Sequence, residues 1–578
     1  MTSVTSSTPV VDPALLAAAA KGPVDAVVFF QAPQNATTSG TFERFAQIED
    51  MPLGAARKEA AYSAIHDLGA ATIGAHQSQL DGLVKSGAVR AIDTLWSLGA
   101  VRLRGASLDT IKSIAAAGGG VQSVMQDEII PLPQLPTGPI TDAVDGAIES
   151  APPVEEPGKV YEDWGVKRMN APAAWSQGIT GAGIVIGSLD TGVWTQHPVL
   201  KGSFRGTNAD GTQTADYNWK DTVKELPANN TLPDGSTFDP AVDGAQDGTS
   251  KRPIDLNGHG SHTTGSAVGW DATHITGVAP DAKFIAARGL GEKGGSMFDL
   301  VAAMEWFMAP TKVDGTAPRP DLAPDIVTNS WGGAATGNPF LWMALRNWKR
   351  AGIIPVFASG NAQPTVPGQV AVPGMYPEAL TVGASDLDDT RAWFSMYGPS
   401  DFSGDHKPEV IAPGHWTYST LPDGTVRDVF PVNGQDHPAS GTSMATPHVA
   451  GAVALYLQAH PGAKFGEVIN AFKKASDHYT NPNDEIGYGI VKVDQLIQPG
   501  TISKDAKLTD AARVAELDAQ VAKAEVYNEK IRTPGWPPRK PGQLDPIESQ
   551  LEAAAAGVSM GAVPPSAGAQ AAGALISA

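Results

Sequence analysis

The chain has 578 residues, enough for two or three domains, with 42% hydrophobic and 18% charged residues, 63 glycines and 46 prolines. A formal charge of −20 argues against nucleic acid and anionic membranes as partners, because both reward clustered Lys and Arg. The absence of cysteine excludes disulfides, thiolate metal sites and a cysteine nucleophile, and no apolar run approaches the ~18 residues of a membrane span.

Residues 1–23 read as a flexible tail. With no basic start and only a short alanine-rich apolar stretch, they make a poor secretory signal. From Val24 the pattern becomes regular. VDAVVFF is strand-like, Arg57–Lys85 is helical, and AVRAIDTLW and GAVRLRG suit paired strands. SLDTIKSIAAAGG is a helix capped by Ser107, and VQSVMQDE closes with a strand. This β-α-β-β-α-β order predicts a small ferredoxin-like α+β domain over 24–128. An RNA-binding version of that fold would carry paired strand aromatics, which are missing here.

Residues 129–160, rich in Pro and acidic side chains, predict a linker. Over 161–500, apolar runs (GIVIGSLD, FIAARGL, PDIVTNS, IIPVFASG, ALTVGAS) alternate with helical segments. The expectation is an α/β three-layer domain whose mostly parallel sheet is covered on both faces. The remainder, 501–578, predicts one solvated helix at about 509–530, then a low-complexity tail from about Ala553.

Four residues stand out for chemistry. Asp190 ends the strand of IVIGSLDTGV, where an open α/β sheet presents its site. In DLNGHGSHTTGSAVG, His259 lies at a loop–helix junction. Asn361 follows Gly360 after a buried strand, and Ser443 opens the helix of GTSMATPHVAG. Each has a plain reading alone: a turn Asp, a hydrogen-bonded core His, a turn Asn, a helix-capping Ser among small packing residues. Together they supply a nucleophilic hydroxyl, a base, a carboxylate to orient the base and an oxyanion donor, in the chain order Asp…His…Ser.

DTGV, HGSHTTG, NSWGG, ASGN and GTSMATPHVAG resemble the signature segments of the subtilases, the subtilisin-like serine peptidases. NAPAAW, YPEALTVGASD and KPEVIAPG are similar to the bacillopeptidase F subgroup. The resemblance spans about Tyr161 to Gly500. It implies Ser443 as nucleophile, His259 as general base, Asp190 as its orienting carboxylate, and Asn361 with the Ser443 N–H as oxyanion donors. His262 and His448 fall at structural positions. Gly294, Gly295, Ser296 and Ser330, Trp331, Gly332 match the two edges between which an extended polypeptide substrate is held. Ala358, Gly360 and Ala371 match the lining of the pocket for the residue before the scissile bond.

By the same resemblance, 24–128 is an inhibitory propeptide, the chain's own intramolecular partner, with a maturation site in the linker. The setting is secreted or cell envelope, although no signal peptide is recognisable. No cofactor is needed for the chemistry. The segment GWDATHITGVAP lacks an Asn-rich calcium loop, and the insertion 203–250 has no calcium-loop spacing, which leaves structural calcium open. Two rival functions compete. A catalytically silent binding module has no use for all four residues. A sedolisin-like acid peptidase would carry Glu and Asp where His259 and Asn361 stand.

Overall fold

The computed structural model describes residues 9–33, 36, 39–118, 120–132, 158–334, 339–362, 370–400, 402–432 and 435–527. Its centre is a seven-stranded sheet. The strand order is Val410–Pro413, Leu380–Ser385, Ile354–Ala358, Ile326–Asn329, Val185–Asp190, Lys283–Arg288, Trp219–Asp221, and every neighbouring pair is parallel. The strands are apolar on both faces because both are covered. Helices Met297–Met308 and Phe340–Ala351 pack on one side. Helix Thr442–Ala459 packs on the other, alongside the end of His259–Val268.

The small residues of the Thr442–Ala459 helix have a packing cause of their own. A Cβ at Gly451 would stand 2.7 Å from Val278 Cβ and 2.9 Å from the Ala267 carbonyl, so only glycine admits this approach of the two helices.

The N-terminal region forms a second sheet. Val121–Gln126, Val24–Phe30, Ala100–Ala106 and Ala91–Leu95 lie in that order, antiparallel throughout, the arrangement of a ferredoxin-like fold. Val10–Val11 adds a fifth, parallel strand at the edge. The flexible tail expected over 1–23 is therefore corrected for residues 10–19. Asp12 caps the Pro13–Ala19 helix through Ala14 N–H, and Leu15 is fully buried. Residues 1–8 lie outside the described residues.

This small domain sits on the two helices of the near face with matched charge. Asp127 accepts Phe298 N–H (3.0 Å) at the start of Met297–Met308, where the helix end is positive. The Arg57 guanidinium donates to the Lys349 and Arg350 carbonyls at the end of Phe340–Ala351 (2.6 and 2.9 Å), where it is negative. Arg102 joins Asp93, Asp127 and Asp299 across the seam, and its guanidinium lies 4.3 Å over the Phe298 ring.

Two further expectations change. The linker expected over 129–160 begins as structure: Ile129–Ile130 pairs antiparallel with Gly295–Ser296. Its middle, 133–157, lies outside the described residues, as does the tail beyond 527. The helix expected to be solvated is docked. Ala511–Val521 buries Leu517 completely, and Arg513 bonds Asp281 at 3.0 Å.

Candidate active site

The four residues singled out above come from distant stretches and fall into two groups at the C-terminal ends of central strands: Asp190 with His259, and Asn361 with the start of the Ser443 helix. Asp190 is the last residue of Val185–Asp190. Its Oδ1 accepts the Thr191 N–H (2.7 Å) and faces His259 Nδ1 at 2.7 Å. His259 opens its helix and is 4% exposed, and its Nε2 has no hydrogen-bond partner among the described residues. Burial pulls the imidazolium pKa down. The Asp190 charge and hydrogen bond more than offset it, so the net shift is upward.

A ring of polar residues, not singled out by sequence reasoning, holds this pair. Asp255, 1% exposed, accepts from Thr191 Oγ1 (3.0 Å), Asn257 N (3.1 Å), Gly258 N (2.9 Å), Ser261 N (2.9 Å) and Ser261 Oγ (2.7 Å). Thr191 Oγ1 also accepts Gly260 N–H at 2.9 Å. One buried carboxylate thereby ties the residue after Asp190 to the turn before His259. His262 is a core residue: its Nε2 meets the Thr417 carbonyl at 3.2 Å, and burial pushes its pKa down to about 3.

Ser443 is the second residue of the Thr442–Ala459 helix, with Gly441 at the N-cap. Its N–H is one of the first-turn donors that no helical carbonyl can reach. Asn361 Oδ1 accepts Thr442 N–H (2.9 Å) and Thr442 Oγ1–H (3.0 Å). A Cβ on Gly441 would lie 3.2 Å from Asn361 Nδ2 and 3.5 Å from Ser443 N. The two donors therefore border one small space that Gly441 leaves open.

The Ser443 hydroxyl donates to the Ser330 carbonyl at 2.9 Å, and Ser330 Oγ donates back to the Ser443 carbonyl at 2.8 Å. That carbonyl is available because its helical partner would be the N–H of residue 447, a proline inside the helix. Pro447 thus lets the serine helix anchor to the Ser330 strand end.

The cleft edges are equally specific. Gly294 has φ +90°, and a Cβ there would stand 2.1 Å from the Ile130 carbonyl. On the facing side, a Cβ on Gly333 would meet Ile130 Cδ1 at 3.3 Å. Ile130 therefore lies between the Gly294–Ser296 and Ser330–Gly332 edges, as an added strand. Trp331 is buried, edge-on to Phe357. Ala358 is buried at the end of its strand. A Cβ on Gly360 (φ +103°) would lie 2.6 Å from the Met396 sulfur and 3.0 Å from Ala371 Cβ. Sequence reasoning missed Met396, which no motif marks. Among the described residues no group of three or more His, Asp or Glu is placed to hold a metal ion, and no helix is long and apolar enough to cross a membrane.

Comparison with known proteins gives this geometry a family. The sequence profile of the Subtilase family matches residues 181–489. Bacillopeptidase F of Bacillus subtilis (strain 168) is 35% identical over 342 residues, 57% of this chain but only 21% of that protein. Subtilisin Savinase of Lederbergia lenta is 30% identical over 337 residues, 57% of this chain and 97% of its own length. Thermitase of Thermoactinomyces vulgaris is 29% identical over 337 residues, covering 58% and 95% of the two chains. With its parallel sheet and its profile match over half its length, the chain belongs to the subtilase family of serine peptidases.

Proposed function

We propose that the chain is a serine endopeptidase that cleaves polypeptides through an acyl-enzyme, and that it is made as a self-processing zymogen. The observation that carries the reading is the 2.7 Å contact of His259 Nδ1 with Asp190 Oδ1, which leaves the opposite ring nitrogen to act as base. Ser443 Oγ swings from the Ser330 carbonyl toward His259 Nε2 and attacks the substrate carbonyl carbon. His259 takes the hydroxyl proton, and Asp190 stabilises the imidazolium. The carbonyl oxygen, now negative, enters the space beside Gly441 and takes N–H bonds from Asn361 Nδ2 and Ser443 N. His259 returns the proton to the leaving amine. Water repeats the cycle on the ester and releases the acid. Ser443, His259 and water account for every proton and electron pair, so this chemistry calls for no cofactor.

The substrate is an extended polypeptide added as a strand between Gly294–Ser296 and Ser330–Gly332. Ile129–Ile130 occupies that position in this structure, which supports reading 10–132 as an inhibitory cover. Proline at 131 keeps the covering strand extended and lowers its ordering entropy. A secreted or envelope setting rests on the family resemblance. The test is Ser443→Ala. The variant should lose turnover by about a millionfold in kcat and remain uncut on purification. Normal self-processing of that variant would falsify the assignment.

A further inference from the structure

The chain beyond residue 489 lies outside the matched family segment, yet its described part is built into the back of the catalytic domain. Gln458, on the serine helix, donates from Nε2 to the Lys507 carbonyl (2.8 Å), while its Oε1 accepts Thr180 and Gly181 N–H (2.8 and 2.7 Å). Arg513 joins Asp281 and lies 5.2 Å over the Trp270 ring. Ala524–Val526 then pairs in parallel with Val160–Glu162, whose other edge is held by His274–Ile275. Tyr527 N–H donates to the Glu162 carbonyl (2.8 Å), and its ring stacks on Tyr418 at 4.0 Å and 15°.

The residue after that clamped strand is Asp163, fully buried. Its Oδ1 accepts the Tyr418 N–H (2.8 Å), and its Oδ2 accepts Gly165 N–H (2.7 Å) and faces His448 Nε2 (3.0 Å). The other nitrogen, His448 Nδ1, bonds the carbonyl of Met444 (2.8 Å), the neighbour of Ser443. The pair has no slack: a Cβ on Gly165 would sit 2.4 Å from His448 Nε2 and 2.6 Å from Asp163 Oδ2. A buried carboxylate–imidazole contact of this kind is held or lost as a unit, because a displaced carboxylate has no water to turn to.

We propose that the C-terminal arm, residues 503–527, is a positioning element of the active site: it clamps Val160–Glu162 and Tyr418, and so fixes Asp163 against His448 behind the first turn of the serine helix. The kinetic half of this inference rests on the peptidase reading, so a readout independent of turnover accompanies it.

The full chain carrying Tyr527→Ala or Tyr527→Phe is expressed and allowed to process itself, and the processed enzyme is tested. The measurements are kcat and KM on a chromogenic peptide, and amide hydrogen exchange over residues 441–449. Tyr527→Ala should lower kcat by about tenfold with KM unchanged, in the range of couplings carried through packed networks, and should speed exchange over 441–449. Tyr527→Phe keeps the stack and loses the long hydroxyl bond to Asp428 (3.5 Å), so it should retain most of the parent's kcat and exchange protection. Should Tyr527→Ala fail to unfold cooperatively, Arg513→Ala loosens the arm from the surface and carries the same expectation at about threefold. Unchanged exchange over 441–449, or an effect confined to KM, would overturn the proposal. A parent that hydrolyses nothing even after residues 1–132 are removed would overturn the peptidase reading instead, and the exchange data would then decide the clamp alone.

Discussion

Two segments flank the catalytic domain, and their contacts with it differ in what can be exchanged. The small N-terminal domain shares a buried apolar core with it, in which Phe29 meets Phe340 at 4.0 Å, and adds charged side chains on helix ends, Asp127 on one helix and Arg57 on another, and a two-residue strand in the cleft. The C-terminal arm reaches it through backbone pairing along Val160–Glu162, an aromatic stack and a fully buried Leu517. The first kind of contact responds to pH and can be exchanged for a substrate strand. The second has no strand that a substrate could replace. That difference suits the proposed removable cover and a permanent brace.

The same contrast orders the expected effects. Asn361→Leu leaves both flanking segments intact and removes one oxyanion donor, so kcat should fall about a hundred- to a thousandfold with KM little changed. Steady-state kinetics check this, and a KM effect alone would move Asn361 out of the oxyanion site. If the small domain is the proposed cover, Glu305 gives its docking a pH response. Its Oε1 accepts the Ser97 N–H of the small domain at 2.6 Å, and burial raises its pKa to about 8 against the opposing pull of that bond. Docked, Glu305 holds its proton; undocked and solvated, it releases it near its ordinary value. Docking is therefore strongest below about pH 4.5 and weakens as pH rises toward about 8. A 10–132 fragment added to processed enzyme should compete with substrate and bind at least about tenfold more weakly at pH 8 than at pH 5. Glu305→Gln should flatten that dependence, and titration calorimetry at the two pH values would decide.

A smaller effect concerns the base. The Asp190 charge holds the His259 proton above the usual histidine range, and the protonated ring cannot accept from Ser443. Activity should be lost as pH falls through that raised value and stay high in mild alkali. A kcat/KM profile whose acid limb lies near pH 4 would point to carboxylate chemistry instead.

Much of this architecture was legible in the sequence. Strands buried on both faces read as unbroken apolar runs, so Val185–Asp190, Ile326–Asn329 and Ile354–Ala358 announced a parallel sheet. Asp190, His259, Asn361 and Ser443 stand in segments whose residue order is itself informative. Residues 10–19 were hidden because alanine-rich sequence suits both a helix and a tail, and the Asp12–Pro13 cap passed unnoticed. The arm was hidden because its helix offers a single fully buried apolar residue, Leu517, and its anchors, Asp281 and Trp270, lie more than two hundred positions away. Asp163 and Asp255 look like ordinary loop aspartates. Only the fold reveals that each is buried and bonded on several sides.

The account's central claim is that Ser443 is a nucleophile concealed by residues 10–132, and fluorophosphonate labelling read by peptide mass spectrometry tests it most directly. The account predicts a single label, on Ser443, in processed enzyme, slowed by at least about tenfold when a saturating 10–132 fragment is added at neutral pH. A label on another residue, or labelling of Ser443 at an unchanged rate with the fragment bound, would contradict it.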